Sequence, residues 1–399
     1  MRHLSLTSFL CLMMVEMVFS CHGDSVTNSD TEFGTGLYQA LAEKDNSSNL
    51  IVSPASISLS LRVLQLGARG NTLAQLERTV GFDSDDSSIL EAEAGSQSSC
   101  DLYDSAQGAR LQFTNTLLIQ SGTHLRPEFT QNAMQWCNSS LINVNFSLPN
   151  YTQGQSQEPT SSGEARDAIT EGSWWVTVPS MALLSSVDFR GTWQKQFLFR
   201  RTQNRPFSLA NGSTINVPMM YQSTKVMFGQ FHLPTDHRYA VLELPYFGKS
   251  LSLLLVIPSD RKTPLSLLQT QLTGHTVAFW DTGLRLTKMD VFLPRFKLQS
   301  RLNLKPVLRS LGISDAFDPF VADFRGISDT EGFYVSEAIH QARIDVTEDG
   351  TAAAAATAMV LLKRSRAPVM KVDRPFLFIL RRVNGGSMLF IGRVMNPAE

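Results

Sequence analysis

Cysteine is scarce in this chain, with four residues among 399. Cys11 and Cys21 lie in or beside an apolar N-terminal segment, which leaves Cys100 and Cys137 for the rest of the sequence. So few cysteines exclude a disulfide framework as the source of stability, and buried free thiols are the ordinary expectation. Whether Cys100 and Cys137 pair stays open. Because 43% of the residues are hydrophobic, a large apolar core can stabilise the fold instead.

An excess of charge of one sign is also lacking. The chain has 35 basic and 36 acidic residues, for a formal net charge of −1. This balance gives no reason to expect nucleic acid as a partner. Beyond the N-terminus there is no stretch of 18 uncharged apolar residues, so we expect no membrane-spanning segment and a soluble mature protein.

The N-terminus has the pattern of a secretory signal peptide, predicted at residues 1–20. Arg2 and His3 form a short positive end, and residues 4–19 form the apolar stretch, which Glu16 interrupts. Cleavage after Ser20 or Gly23 would satisfy the preference for small residues. We therefore expect a secreted, extracellular protein.

Enzyme motifs are missing from the sequence. There is no Gly-x-Ser-x-Gly elbow, zinc-ligand spacing or phosphate-binding loop, and the seven histidines are scattered. We expect neither an enzyme nor a cofactor or metal.

Acceptor sites for N-glycosylation agree with secretion. Asn-x-Ser/Thr sequons begin at Asn46, Asn138, Asn145, Asn150 and Asn211. Three of them fall within residues 138–152, which is more than isolated chance occurrence suggests. The sequence predicts a glycoprotein but does not say which sites are occupied.

Helical and strand patterns are mixed along the chain without a βαβ rhythm, which predicts an α+β fold with antiparallel sheets. Ser53-Pro54 begins a predicted helix that ends at Gly67. Other helices are predicted at 128–137 and 303–311, and strands at 113–120, 174–178, 181–189, 215–221, 239–245, 251–258, 291–297, 334–346, 376–381 and 387–394.

Residues 345–368 contain the most informative segment. An acidic pair and Gly350 precede five consecutive alanines at 352–356, and Lys363, Arg364 and Ser365 follow. Alanine is the best helix former, so an ordinary helix is one interpretation. The β-branched and apolar residues 357–362 favour extended structure, and an exposed arginine fits the charged pocket of a trypsin-like protease. The residues alone leave both interpretations open.

Several motifs make the chain resemble the serpins, most of all the plasminogen-activator-inhibitor and protease-nexin branch. The matching stretches are residues 49–57 (NLIVSPASI), 217–220 (VPMM), 241–246 (VLELPY), 293–298 (LPRFKL), 315–317 (DAF), 322–328 (ADFRGIS) and 373–378 (DRPFLF). The resemblance covers about 49–397. It implies one domain at 21–399, with three β-sheets, eight or nine helices and an exposed reactive-centre loop at about 348–368.

The resemblance also implies a secreted suicide inhibitor. A trypsin-like serine protease would attack the Arg364–Ser365 bond, the loop would insert into the main sheet, and the protease would stay covalently trapped. In inhibitory relatives the reactive bond falls fourteen residues past the hinge glycine, which places it on Arg364 here. Lys363 and Arg366 are neighbouring basic alternatives, and the count favours Arg364. Because the hinge would enter the sheet, it would need small side chains, with Glu348 and Asp349 left at a solvated base. The hinge residues implied are Glu348, Gly350, Thr351, Ala353, Ala355 and Thr357. A monomer is expected.

Two further sites are implied by the resemblance. Ser53, Ser56, Ser185 and His340 match a cluster under the main sheet that controls its opening. Trp193 matches the tryptophan at the breach, where the loop first enters. Ser185 departs from the family pattern, since it stands where an asparagine usually bonds to the histidine.

Other departures leave an alternative open. Residues 150–178 lack a recognisable copy of the helix that crosses the main sheet, which favours a non-inhibitory serpin acting as a carrier, chaperone or passive substrate. The region where relatives carry a basic glycosaminoglycan-binding helix is acidic here, with seven carboxylates between Asp83 and Asp104. That site is not expected, and glycosaminoglycan binding elsewhere stays open. The sequence does not name the target protease.

Overall fold

The structure is a computed structural model that describes residues 30–81, 103–104, 108–135, 139–146, 180–330, 332–348, 367–383 and 385–399. These ranges contain fifteen strands, seven α-helices and two short 3-10 turns. The mixture confirms the predicted α+β class. None of the described helices is both long and apolar enough to cross a bilayer.

The helices lie mainly in the first and middle parts of the chain. They are α1 (30–42), α2 (Pro54–Gly67), α3 (Gly70–Val80), α4 (Pro127–Gln135), α5 (Leu265–Thr270), α6 (Gly274–Gly283) and α7 (Lys305–Ser310), with 3-10 turns at Phe199–Arg201 and Asp315–Phe317. The start of α2 is as predicted: the Ser53 side chain accepts a hydrogen bond from the Ser56 amide, and Pro54 occupies the first turn.

Two hydrogen-bonded sheets contain all of the described strands. These are β1 (Leu50–Val52), β2 (Tyr103–Asp104), β3 (Ala109–Gln120), β4 (Ser140–Val144), β5 (Met181–Gly191), β6 (Gln203–Ser208), β7 (Thr214–His232), β8 (Arg238–Pro245), β9 (Leu251–Pro258), β10 (Arg285–Pro294), β11 (Phe296–Asn303), β12 (Val335–Val346), β13 (Val369–Lys371), β14 (Phe376–Arg382) and β15 (Met388–Val394).

The nine-stranded sheet has the order β1-β15-β14-β9-β8-β7-β10-β13, with β6 also on β7. The six-stranded sheet has the order β11-β12-β5-β3-β2, with β4 also on β3. Three sheets were expected. Two of them are continuous here because the 19-residue β7 pairs with β6, then β10, then β8 along its length.

Apolar side chains of the two sheets pack against each other in a shared hydrophobic cluster. Phe189 on β5 contacts Phe390 on β15, with ring centroids 6.2 Å apart. Residues 183, 185, 187 and 189 of β5 are buried, whereas 186, 188 and 190 are half-buried on the opposite face. The inner face of β5 therefore belongs to the core, and its outer face is polar from Ser186 to Arg190.

The strand predicted at 291–297 is divided in the structure. β10 ends at Pro294 in the nine-stranded sheet, and β11 begins at Phe296 in the six-stranded sheet. Between them the Arg295 amide donates to the Pro218 carbonyl, so the chain changes sheets at this residue. The short β13 was not predicted, and the strand predicted at 174–178 lies outside the described residues.

Candidate functional site

β5 and β12 run parallel in the six-stranded sheet, and the alanine-rich arm begins where β12 ends. Their pairing extends from Val335 opposite Met181 to Asp345 opposite Arg190, with a shift of register between Val335 and Glu337. Residues 349–366 lie outside the described part of the chain, so the hinge and the reactive bond stay predictions. These residues include Gly350, Thr351, Ala353, Ala355, Thr357, Arg364 and Ser365.

The distal end of the arm is fixed to the nine-stranded sheet. The Pro368 carbonyl accepts a hydrogen bond from the Asp290 amide at 2.9 Å, and Val369 then begins β13 beside β10. The proximal end at Glu348 and the distal end at Pro368 thus define where the arm leaves and rejoins the body.

Ser53, Ser56, Ser185 and His340 meet beneath the six-stranded sheet, as the resemblance implied. His340 on β12 lies opposite Ser185 on β5, and its Nδ1 is 3.0 Å from the Ser185 hydroxyl. That hydroxyl is 2.7 Å from the hydroxyl of Ser56 on α2. The Ser53 amide donates to His340 Nε2 at 3.1 Å. All four residues are buried, so the group connects both strands to the start of α2.

The hydrogen bonds of His340 determine its protonation. Because the Ser53 amide can only donate, Nε2 must accept, and the ring proton lies on Nδ1, which donates to Ser185. Burial lowers the pKa of His340 from 6.5 to about 3, and a second proton on Nε2 would also face the Ser53 donor. The imidazole is therefore neutral across the physiological range.

Trp193 holds the end of β12 in place, at the position where the resemblance implied the breach. Its indole nitrogen donates to the Thr347 carbonyl at 2.8 Å. The ring stacks on Tyr246, with centroids 4.3 Å apart and an interplanar angle of 12°. Phe197 packs against it edge-on at 5.8 Å. These contacts fix the backbone one residue before Glu348.

Glu348 is fully buried, which corrects the expectation of a solvated hinge base. Its carbonyl accepts from the Phe197 amide at 3.0 Å, and its Oε1 accepts from the Thr202 hydroxyl at 2.8 Å. The Arg295 guanidinium lies 3.8 Å from Oε2. A buried carboxylate needs such partners because leaving it unpaired is costly. The hinge base is therefore held by side chains of the body, and water does not solvate it.

Thr202, Phe197 and Arg295 were not identified from the sequence. Arg295 lies within one of the family-like stretches, and Thr202 follows a basic pair, but neither pattern indicates a contact with Glu348. The signal that could have found them is general: a glutamate that leads into a moving segment needs donors if it is buried.

The described sequon asparagines are accessible. Asn46, Asn145 and Asn211 are exposed, and Asn211 lies in a tight turn where its Oδ1 accepts from the Ser213 amide at 2.9 Å. Asn138 and Asn150 lie outside the described residues, as do Cys100 and Cys137. Occupancy of the sequons stays a prediction.

Comparison with known proteins identifies the family. The family model described as "Serpin (serine protease inhibitor)" matches residues 28–397. The chain is 55% identical to the probable serpin E3 of Danio rerio over the whole length of both. It is 31% identical to rat (Rattus norvegicus) neuroserpin over 92% of this chain and 90% of that protein. It is also 31% identical to plasminogen activator inhibitor 1 of Bos taurus over 92% of this chain and 91% of that protein.

Solved structures agree with these relatives. The crystal structure of native protease nexin-1 with heparin superposes with a TM-score of 0.78 at 28% identity, covering 94% of this chain and all of that one. Human thyroxine-binding globulin, in complex with its ligand, gives 0.79 at 23% identity over 94% of this chain and 99% of that one, which shows the shared fold alone. With a family match over nearly the whole described chain and relatives on the expected branch, this protein belongs to the serpin family.

Proposed function

We propose that this serpin is a secreted, monomeric suicide inhibitor of trypsin-like serine proteases, cleaved at Arg364–Ser365. The observation that carries the proposal is the parallel pairing of β5 with β12, because the arm leaves the body directly from the end of β12. A strand that folds back from this point would run antiparallel to both neighbours.

Insertion between β5 and β12 is favourable on simple grounds. It replaces one parallel ladder with two antiparallel ladders, and antiparallel pairing is slightly more stable per residue. It also gives the backbone groups of the arm the hydrogen bonds that an exposed loop lacks. Residues 350–362 would span about 40 Å as a strand, which matches the length of the 12-residue β12.

The side chains of the arm suit this movement. Thr351, Ala353 and Ala355 add little volume as they enter beside Trp193 and Glu348. A charge at these positions would have to be buried, and a proline would remove a ladder hydrogen bond. The small residues therefore favour an inhibitor over a passive substrate.

The chemistry is supplied by the protease. Its serine oxygen attacks the Arg364 carbonyl carbon, the bond to the Ser365 nitrogen breaks, and that nitrogen leaves as a protonated amine. Arg364 is then an acyl ester on the protease. Insertion carries this ester away from the start of the loop before water hydrolyses it. The Arg364 guanidinium directs the reaction to proteases with a carboxylate in their primary pocket.

The alternative is a non-inhibitory serpin that acts as a carrier, chaperone or passive substrate. The departure of residues 150–178 from the family pattern favours it, since a serpin that opens its sheet poorly would be cleaved without trapping. Such a protein would release the protease and leave a clipped chain.

One experiment separates the two functions. The purified protein is incubated with trypsin, boiled in detergent and run on a denaturing gel. Inhibition predicts a band at the summed mass that survives boiling, and N-terminal sequencing of the released fragment should begin at Ser365. Arg364→Ala should abolish the band, whereas the matched control Lys363→Ala should keep it. A clipped monomer beside free trypsin would exclude the inhibitor.

A further inference from the structure

A basic face lies on the outer surface of β7 and β10. In the register of these strands, three rungs point to the same side. They consist of Tyr221 opposite Phe292, Ser223 opposite Asp290, and Lys225 opposite Lys288. Six cations lie within this stripe or beside it, and together they are called the basic face: Lys195, Arg201, Arg205, Lys225, Lys288 and Lys371.

Two arginines of the basic face are held in place by aromatic rings. The Arg201 guanidinium lies 5.5 Å from the centroid of Tyr221, and that of Arg205 lies 4.7 Å from the centroid of Phe292. The two rings are themselves 4.9 Å apart. Stacking orients a guanidinium without consuming its hydrogen-bond donors. Among the described carboxylates, none forms an ion pair with either arginine.

The paired lysines place two positive charges side by side at a cost to the fold. Lys225 and Lys288 are exposed and directly opposite, an arrangement that destabilises a sheet by like-charge repulsion. Asp290 is the carboxylate on the middle rung, and its charge adds to the effect of burial in raising the pKa of Tyr221. Local folding does not require two opposed lysines, whereas an anionic partner would neutralise them.

The basic face lies at the base of the reactive-centre loop. Arg201 precedes Thr202, which holds Glu348 where the loop leaves the body. Lys371 pairs with Phe292, and Asp290 holds Pro368 where the loop returns. Arg364 is four residues from Pro368, so its Cα is at most about 14 Å from that anchor. A protease bound at Arg364 must lie close to this surface.

We propose that the basic face is a second contact site for the protease, selecting trypsin-like enzymes with carboxylates on the rim of the cleft beside Ser365. The inference rests on the proposed function for the position of the protease. Opposite charges on two surfaces accelerate encounter and orient the partners, and the gain falls as salt rises. The basic face thus supplies the selectivity among trypsin-like proteases that Arg364 alone lacks.

The test uses two trypsin variants that differ only in charge at the rim of the cleft beside Ser365. Two surface residues of the loop on that rim are changed to glutamate in the acidic-rim trypsin and to lysine in the basic-rim trypsin. The second-order rate constant for cleavage at Arg364–Ser365 is measured at 50 and 300 mM NaCl. We expect the acidic-rim trypsin to react on the order of tenfold faster at low salt. In the double variant Arg201→Ala/Arg205→Ala, the ratio of the acidic-rim to the basic-rim rate constant should fall to about two or less.

Two further double variants show whether a change in the ratio of rate constants comes from the basic face. Arg78→Ala/Arg238→Ala removes two exposed arginines elsewhere and should keep the ratio. Lys225→Ala/Lys288→Ala removes the repelling pair, so it should fold at least as well as the parent protein while lowering the ratio. Equal ratios in the parent and in both basic-face variants would overturn the proposal. If the variants instead lose only retention on heparin–agarose, the face binds sulfated polysaccharide and the proposal is equally overturned.

The same reactions separate this inference from the proposed function. Cleavage rate is measured whether or not the protease is trapped, and the boiled gel reports trapping independently. A charge-dependent rate without a stable complex would exclude the inhibitor but keep the second contact site. Stable complexes formed at rates that do not depend on rim charge would support the inhibitor and exclude the second contact site.

Discussion

His340 and Ser185 lie opposite each other on β12 and β5 and share a hydrogen bond of 3.0 Å. Neighbouring strands are about 4.8 Å apart, and a strand inserted between them would move them to about 9.6 Å. The bond cannot survive that separation. If the arm inserts as proposed, the bond would therefore stabilise the closed sheet alone, and the cluster would oppose insertion.

Ser185→Ala should destabilise the uncleaved protein without destabilising the cleaved form. The change leaves the His340 Nδ1–H and the Ser56 hydroxyl without this partner in a buried site, which costs about 1–3 kcal/mol. Thermal unfolding of intact and trypsin-clipped samples measures both states. The matched control is Ser186→Ala, one residue along β5 on the half-buried outer face. An equal loss in both states would contradict the assignment of the bond to the closed sheet.

His340 should make the uncleaved protein less stable as the pH falls below about 6.5. The pKa is lowered from 6.5 to about 3, so between these values the unfolded chain binds a proton that the folded chain does not. Stability is fully present above 6.5 and declines by about 1.4 kcal/mol per pH unit until about pH 3.

Urea unfolding at pH 7.5, 6 and 5 measures this slope. His340→Asn keeps a donor for Ser185 but does not titrate, so its stability should change less over the same interval. His232→Asn, on the exposed surface, controls for the loss of one imidazole. A slope in His340→Asn equal to that of the parent protein would show that this residue is not responsible.

Glu348→Lys should loosen the end of β12. A lysine there would bury a cation beside the partly exposed Arg295 and lose the bond from Thr202, at a cost of about 3 kcal/mol or more. We expect a lower unfolding temperature and faster spontaneous loss of inhibition. Glu348→Gln keeps an acceptor for Thr202 and should be far milder. Similar effects of both substitutions would mean that charge at this site is unimportant.

The sequence predicted those parts of the fold that depend on local patterns. The Ser53-Pro54 helix start and the strand at 251–258 are encoded by adjacent residues, and the structure has both. The meeting of Ser185 with His340 was implied by the family resemblance and not by spacing. Whether these residues control opening of the sheet stays a prediction.

The burial of Glu348 could not be predicted in this way. It depends on Phe197 and Thr202, about 150 residues earlier, and on Arg295, about 50 residues earlier. The division of 291–297 has the same origin, since the change of sheet at Arg295 depends on pairing with β7. The basic face likewise arises only when β7 and β10 come into register. Tertiary contacts between distant segments decided all three.

Thr351→Arg should convert the inhibitor into a substrate without slowing cleavage. Arg364 would still enter the protease, so the acyl ester would form at the normal rate, whereas the new guanidinium would meet the buried Trp193–Glu348 region as the arm enters. Water would then release the protease. The ratio of complex to clipped chain on a boiled gel, and the number of serpin molecules consumed per trypsin inhibited, measure this change.

Thr351→Ala is the matched control, because it keeps the side chain small and should leave that ratio near that of the parent protein. Comparison of Thr351→Arg with Thr351→Ala also decides between the two interpretations of the alanine-rich arm, an exposed helix and an inserting strand. If the arm merely formed an exposed helix, arginine at 351 would stay in solvent and both variants would behave alike. If the Thr351→Arg variant still traps the protease at Arg364, that result contradicts insertion of the arm into the sheet.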